Sequence, residues 1–158
     1  MSALFLSEYQ RLVRLAWLMV GDHDMAEDVV QDAFLALGRR WAGIRDEDKA
    51  LFYLRAAVAN GSRDRLRHRK VVRERMSDVL AAPAPAAETV ALDHLHRDDL
   101  HTLIQGLPLR QRQVVVLRYY ESYSEAQIAE CLGISPGSVK AHAARGVATL
   151  AARLEGIR

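Results

Sequence analysis

Residues 124–146, SEAQIAECLGISPGSVKAHAARG, restrict the possible folds more than any other part of the chain. Ser124, with a glutamine three residues later, has the spacing of a capping box, which predicts the start of a helix. Gly133 follows that helix where a sharp turn often requires a positive φ angle. Ser135 and Pro136 suit the N-cap and the first position of a second helix. The stretch therefore predicts two helices joined by a tight turn.

The outward side of the second helix has the composition of a DNA-reading surface. Its predicted contact residues are Ser138, Lys140, His142 and Arg145. Its predicted core residues are Val139, Ala143, Val147, Leu150 and Leu154. Arginine and lysine can reach guanine edges or phosphates in the major groove, and small neighbours allow a helix to enter it. The pattern favours a DNA-binding helix-turn-helix, and a simple packing corner between two helices is the alternative.

Helical periodicity extends over almost the whole chain and predicts an all-α protein. The one β-branched run, QVVVL at 113–117, lies inside a helical pattern. Two prolines among alanines change the character of residues 76–92 and predict a flexible linker. We therefore expect two small helical domains, 1–75 and 93–158, joined by this linker.

Three helices are expected in the first domain, and two more precede the helix pair in the second. The predicted N-terminal helices are Ser7–Val20, Asp24–Leu37 and Ala50–Met76. Asp24 is expected to be an N-cap with a glutamate at the reciprocal position, and Gly38 to end the helix. In the second domain we expect a helix over 89–106 and another with Pro108 in its first turn.

The second helix carries only negative charge. Between residues 22 and 37 it has carboxylates but neither lysine nor arginine. Asp28, Gln31, Asp32 and Leu35 lie on one outward stripe, because they follow the i, i+3, i+4, i+7 spacing. An exposed leucine among carboxylates suits docking on a basic helical partner. A solvated face with one stray leucine is the alternative.

The third helix is strongly basic between residues 63 and 75. One stripe of it carries Asn60, Arg63, Arg67 and Lys70. An asparagine can bond a base edge and arginines match phosphates, while the mutual repulsion of so many cations is relieved by a polyanion. Gly61 costs about 1 kcal/mol relative to alanine inside a helix, which a close approach by another backbone or by DNA would explain. The alternative is a solubilising face.

Catalytic and metal-binding motifs are absent from the sequence. It has no H-E-x-x-H, phosphate loop, G-x-S-x-G or Rossmann fingerprint. His94 and Asp98 stand one turn apart, but nothing completes a tetrahedral metal site. We expect Cys131 to be a small core residue, and Trp17 and Trp41 to be core anchors. The prediction is therefore a non-enzymatic protein without metal or cofactor.

The cellular compartment is also constrained. No apolar run reaches membrane-spanning length, and the N-terminus lacks the basic start and cleavage site of a signal peptide. A single cysteine excludes an internal disulfide framework. We expect a cytoplasmic protein that does not enter a membrane.

Three segments in order resemble an extracytoplasmic-function (ECF) sigma factor of the sigma-70 family, similar to the small actinobacterial type. They are AEDVVQDAFLAL, YLRAAVANGSRDRLRHRK and LPLRQRQVVVLRYYESYSEAQIAECLGISPGSVKAHAARGVATL. The resemblance covers nearly the whole chain. It implies a subunit that binds core RNA polymerase and directs transcription initiation, with promoter DNA as the second partner and an anti-sigma factor as a common third one.

The resemblance also assigns roles to the residues. It implies that Asp28, Gln31, Asp32 and Leu35 dock on the β′ clamp helices. It further implies that Asn60, Arg63, Arg67 and Lys70 engage the minus-10 element, while loop 42–50 holds a flipped base. The helix-turn-helix would read the minus-35 element, and its domain would dock on the β flap.

Two features depart from the family pattern. The loop GIRDEDKA lacks the expected proline and is acidic next to DNA. The recognition helix has His142 where many members carry arginine, and Ala141 where many carry serine. The base preference at minus-35 is therefore open.

Two other protein classes fit parts of the sequence. LGISPGSVKAHAARG also resembles the helix-turn-helix of LuxR-type regulators, but those usually follow a sensory or receiver domain, and residues 1–75 show no alternating strand–helix pattern. A helical protein–protein adaptor is the second alternative, and the basic stripe discriminates against it.

Overall fold

The computed structural model describes residues 2–80 and 97–157, and every regular element within these ranges is a helix. This confirms the all-α prediction. The elements are α1 Ser2–Val20, α2 His23–Arg40, a 3-10 turn Trp41–Gly43, α3 Glu47–Leu80, α4 Arg97–Gln105, α5 Leu109–Tyr119, α6 Glu125–Leu132 and α7 Pro136–Ile157.

The first three helices pack against one another around an aliphatic core. Their fully buried side chains include Leu12, Leu15, Met19, Val30, Leu37, Leu54 and Val58. Burying one such side chain contributes about 1.5–3 kcal/mol relative to leaving it in water. These side chains belong to one continuous apolar core that also includes residues of the C-terminal helices, and the acidic face of α2 and the basic face of α3 are held on it.

The last four helices form the C-terminal unit, in which α5 packs against α6 and α7 and α4 contacts α7. Val114, Leu117, Ile128 and Val139 are fully buried at its centre. Gly146 of α7 lies against α5 so closely that an added Cβ would stand 2.7 Å from Val115 Cγ2. The absence of a side chain there lets the two helices approach.

The two units also contact each other. Helix α1 packs against α4 and α5, and α3 packs against α6. The rings of Trp17 and His101 stack with centroids 3.6 Å apart. Gln105 Nε2 donates to the Leu18 carbonyl at 2.6 Å, and Arg112 Nη1 donates to the Met19 carbonyl at 2.6 Å. The end of α1 is thus bonded to the C-terminal unit.

The start of α2 differs from the prediction. Asp22, not Asp24, is the N-cap: its side chain accepts from the Met25 amide at 2.9 Å while its own backbone is extended. The helix also continues past Gly38 to Arg40, because Gly38 keeps a negative φ and the Trp41 amide donates to its carbonyl. The predicted stop at this glycine was wrong.

The first and third helices begin earlier than predicted. Helix α1 starts at Ser2 instead of Ser7, and α3 starts at Glu47 instead of Ala50. Asp46 stabilises this earlier start of α3, because its side chain accepts a hydrogen bond from the Asp48 amide at 2.9 Å. Acidic residues in the first turn are favoured by the helix dipole.

Helix α3 also ends later, at Leu80 rather than Met76. It therefore extends into the segment predicted to be a linker, and 81–96 lie outside the described residues. Of the helix predicted over 89–106, the structure describes 97–105 as α4. Pro108 precedes the first residue of α5 as its N-cap instead of lying within the first turn.

Several burial predictions were tested. Cys131 is buried, as predicted, whereas Trp41 is 38 % exposed and is not a core anchor. Trp17 is half-buried and stacks on His101. On α7, Val147 and Leu154 are 40 % and 46 % exposed. The predicted core stripe fails at these positions; beside Val147 it is Gly146 that packs against α5, and neighbouring residues of a helix are turned by about 100° from each other.

Candidate nucleic-acid and protein interfaces

The predicted helix-turn-helix is formed as its sequence indicates. The Gln127 amide donates to Ser124 Oγ at 3.1 Å, and the Ser124 amide donates to Gln127 Oε1 at 2.8 Å. This is a reciprocal capping box. Gly133 ends α6 with φ +66°, which only glycine adopts at no steric cost. The turn chemistry thus fixes the angle between α6 and α7.

The start of α7 is capped by two serines. Ser135 Oγ accepts from the Ser138 amide at 3.1 Å and lies 2.9 Å from the Ser138 hydroxyl. Pro136 is the first helical residue, as predicted. The Ser138 side chain, a predicted DNA contact, is therefore already engaged in holding the cap.

The other predicted minus-35 residues lie along the same helix with different exposures. Lys140 and Arg145 are exposed, and among the described residues no carboxylate pairs with either. His142 is half-buried, and its Nδ1 is buried without a hydrogen-bond partner in the part of the chain that the structure describes. Two unpaired cations on an outward helix are therefore available to an anionic ligand.

The basic stripe of α3 has both open and engaged positions. Arg67 and Lys70 are exposed and Arg63 is half-buried. Asn60 is not open: its Nδ2 donates to the Ala56 carbonyl at 2.9 Å and to the Cys131 carbonyl of α6 at 3.1 Å. The stripe is thus accessible to DNA along its later part and covered by the C-terminal unit at Asn60.

Gly61 has no steric need to be glycine within the protein. An added Cβ there would meet only Val29 Cγ1 at 3.5 Å, which is ordinary van der Waals contact. Among the described residues no other backbone approaches Gly61 closely, so the predicted close approach by another backbone was wrong. A close approach by DNA stays a prediction.

Arg110 of α5 extends the positive surface of α3. Partial burial lowers the pKa of Arg110, and the charges of Arg63 and Arg67 lower it further. Three guanidinium groups from two helices therefore lie within electrostatic range of one another. Such a cluster favours a polyanionic ligand, because phosphates relieve the repulsion.

Arg65 of α3 partly neutralises the acidic face of α2. Arg65 Nη2 donates to Asp32 Oδ2 at 2.6 Å, and Arg65 Nη1 lies 3.7 Å from Asp28 Oδ2. Both aspartates keep more than half of their side-chain surface in water, where such pairs contribute only about 0–1 kcal/mol. Their carboxylates are therefore accessible to a second cationic partner.

An exposed apolar groove lies beside these carboxylates. Leu35 is 65 % exposed, as predicted, and Leu6 of α1 is 77 % exposed. Together with Ser2, Phe5, Gln31 and Phe34 they line a groove of about 540 Å³. The groove brings Gln31 and Leu35 of the predicted stripe together with α1, a helix to which the sequence assigned no role.

A buried ionic group between the two units was missed by the sequence analysis. The Glu121 side chain is 1 % exposed, and its Oε2 lies 2.9 Å from Arg55 Nε and 3.6 Å from Arg11 Nη2. The Arg55 Nε–H is not directed at an acceptor, so charge attraction rather than an aligned hydrogen bond holds this pair. The partners lie far apart in sequence, and no local motif indicates them.

Arg55 is held by a second group of the C-terminal unit. Its Nη1 donates to Tyr123 Oη at 3.4 Å. Burial alone would lower the pKa of Arg55, but the Tyr123 hydrogen bond and the Glu121 charge outweigh it and raise that pKa. Burial raises the pKa of Tyr123 as well. The Arg55 guanidinium therefore stays protonated and positively charged.

Among the described residues, no cluster of three or more potential metal ligands occurs, while His94 and His96 lie outside them. No helix in the described part is long and apolar enough to cross a membrane.

Two family models and several curated proteins match this chain. Residues 4–71 match the family model Sigma-70 region 2, and residues 97–150 match Sigma-70, region 4. The chain is 35% identical over 144 residues to an RNA polymerase sigma-E factor of Streptomyces avermitilis, covering 91% of this chain and 79% of that protein. It is 32% identical over 149 residues to the ECF RNA polymerase sigma factor SigM of Mycobacterium tuberculosis, covering 94% and 74%.

A solved structure has the same fold. The sigma factor RpoE from Bartonella quintana, solved in complex with the anti-sigma factor NepR, superposes with a TM-score of 0.75 at 22% identity. The match covers 98% of this chain and 96% of that one.

Proposed function

The chain belongs to the sigma-70 family of RNA polymerase sigma factors, and we propose that it uses the faces described above to join core polymerase to promoter DNA as an ECF sigma factor. Residues 4–71 match Sigma-70 region 2 and not a receiver or sensory domain, so the LuxR-type alternative is not favoured. We further propose that the protein catalyses no reaction itself. The proposed units are region 2 at 1–75, a linker at 76–92 and region 4 at 93–158.

One observation carries the assignment of the faces. The three-helix unit holds an acidic face with an apolar groove on α2 and a basic stripe on α3, so a single rigid body presents opposite charges to different partners. We assign the acidic face, with Asp28, Asp32 and Leu35, to the β′ clamp helices. We assign the basic stripe, with Arg63, Arg67 and Lys70, to the minus-10 element.

The C-terminal unit supplies the second DNA contact. Lys140 and Arg145 are exposed on α7, whose start Ser135 caps, and no carboxylate pairs with either among the described residues. We assign them, with Ser138 and His142, to the minus-35 element. We also propose that this unit docks on the β flap. An anti-sigma factor is a further proposed partner, because the structurally similar RpoE was solved with one.

Run-off transcription with core polymerase tests the function. The purified protein should direct core polymerase to a defined start site on a promoter template, and neither component alone should do so. A protein that binds DNA tightly by itself but never produces a defined transcript with core polymerase would overturn the sigma-factor assignment.

A charge reversal tests the docking face. Asp28→Lys together with Asp32→Lys should abolish binding to core polymerase, because two attractive contacts become repulsive ones. Helicity should stay unchanged, since exposed pairs with Arg65 contribute little to folding. Glu27→Lys is the matched control, an exposed position of the same helix outside the stripe. Equal core affinity of the double variant and the control would remove the docking assignment.

A further inference from the structure

We propose that a groove between α1, α4 and α5 binds a long-chain alkyl carboxylate, with the carboxylate at Arg14 and the chain along the apolar wall. The groove has a volume of about 620 Å³, and small-molecule sites typically have about 300–1,000 Å³. No residue assigned to DNA or to core polymerase lines it. The inference therefore does not rest on the proposed function.

The wall of the groove is largely apolar and comes from all three helices. Ile104, Val115 and Val116 line it and are buried. Leu100 and Tyr119 line it as well, but they are 47 % and 63 % exposed. Large apolar side chains left in water along one groove are typical of a ligand-binding surface, because an apolar ligand removes them from water.

Arg14 supplies the charged end of the groove. It is exposed, and no carboxylate pairs with it in the part of the chain that the structure describes. Arg14 and Tyr120 also line an adjoining groove of about 460 Å³, together with Ser7, Gln10 and Arg11. Within the described ranges neither groove is lined by a carboxylate. An anionic head at Arg14 therefore meets positive charge without a competing acidic side chain.

The neighbouring charges indicate a head with one negative charge. Glu121 Oε2 lies 3.6 Å from Arg11 Nη2 and 2.9 Å from Arg55 Nε. Glu8 also lies within electrostatic range of Arg55. These two glutamates balance Arg11 and Arg55, so Arg14 is the cation left without a counter-charge. A carboxylate suits it, because a guanidinium binds a carboxylate through two parallel hydrogen bonds.

The stacking around Trp17 favours an aliphatic ligand over a flat aromatic one. Trp17 lines the groove, but its ring is already stacked with His101 at 3.6 Å and with His23 at 5.1 Å between centroids. The indole therefore offers an edge rather than an open face to a ligand. An aromatic ligand gains most from a defined ring geometry, whereas an alkyl chain packs against an edge without one.

Trp17 also provides the measurement of binding. The other tryptophan, Trp41, lines a different groove with Ala3 and Leu4, so Trp41→Phe leaves Trp17 as the single indole emitter. Undecanoate with a terminal bromine should quench this emission saturably, at one ligand per chain and below its micelle concentration. Quenching that does not saturate, or that accompanies a loss of helicity in circular dichroism, would mean detergent-like binding and would overturn the site.

A charge-removing variant tests the position of the head. Arg14→Gln should raise the dissociation constant of the brominated undecanoate about tenfold or more, because hydrogen bonds to a charged group are lost. Arg39→Gln is the matched control, since Arg39 is an exposed arginine of α2 that lines neither groove. Undecylamine, with the same chain and the opposite charge, should not displace the carboxylate. Equal affinity of the two variants, or displacement by the amine, would overturn the assignment.

A series of chain lengths tests the position of the tail. From hexanoate to dodecanoate, used as competitors, the dissociation constant should fall about two- to fourfold for each added methylene that the apolar wall buries. Leu100→Gln should reduce this factor. Affinity that does not depend on chain length would overturn the proposal. So would a dimer in sedimentation that Leu100→Gln dissociates, because the groove would then hold a second copy of this chain.

Discussion

Replacing Gly146 by alanine should destabilise the protein relative to the same replacement at Gly61. Both glycines lie inside long helices, α7 and α3, and both have ordinary negative φ. Each replacement therefore gains about 1 kcal/mol of helix propensity. The difference that matters between the two sites is the distance from the added methyl group to its nearest neighbouring atoms.

At Gly146 the new Cβ would stand 2.7 Å from Val115 Cγ2 and 3.5 Å from Gln111 Cβ. Val115 is buried and its β-branched side chain has few alternative rotamers. Overpacking of this kind costs about 1–3 kcal/mol. At Gly61 the nearest atom, Val29 Cγ1, lies at 3.5 Å, so the gain in propensity is kept.

The unfolding free energies of the two variants should thus differ by about 1–3 kcal/mol, the overpacking cost alone. For a chain of this length each kcal/mol corresponds to about 2–4 °C in Tm. Thermal unfolding followed by circular dichroism measures the difference. Gly61→Ala should unfold above the wild type, and a Gly146→Ala variant at least as stable as Gly61→Ala would refute the steric reasoning.

Two further predictions concern the recognition helix and the buried thiol. Arg145→Ala should weaken minus-35 binding by about 1–3 kcal/mol if the guanidinium contacts a base. Competition with scrambled sequences checks this, because an equal loss on all of them would make the contact a phosphate one. Burial raises the pKa of Cys131 from 9.0 to about 12, so the unfolded chain loses this proton first as pH rises. Between pH 9 and 12 the free energy of unfolding should therefore fall by about 1.4 kcal/mol per pH unit. Urea unfolding at several pH values measures this slope, and Cys131→Ala should reduce it. A slope that the substitution leaves unreduced would contradict the assignment to this thiol.

Local chemistry was well predicted in the helix-turn-helix, whereas the predicted cap at Asp24 and the predicted stop at Gly38 were wrong. The capping box at Ser124, the positive φ of Gly133 and the cap at Ser135 depend on residues within one turn of each other. Such interactions are encoded by short spacings that a sequence displays directly. The outward position of Leu35 followed in the same way from helical period.

Features that depend on distant partners were not predicted. Glu121 resembles an ordinary surface glutamate in sequence, yet it is buried because Arg11 and Arg55 meet it across the fold. The period of α7 predicted a buried Val147, but the side of the helix that meets α5 is the one that carries Gly146. Periodicity indicates a side of a helix and does not indicate whether another helix lies there.

The length of α3 has a geometric consequence for how the two units are connected. Its 34 residues form a rod of about 51 Å at 1.5 Å per residue. Residues 71–77 are exposed on every side, so the end of the rod extends beyond the core that orients its beginning. One residue inserted there would rotate everything after it by about 100°. The phase of this helix therefore sets the direction in which the chain leaves α3.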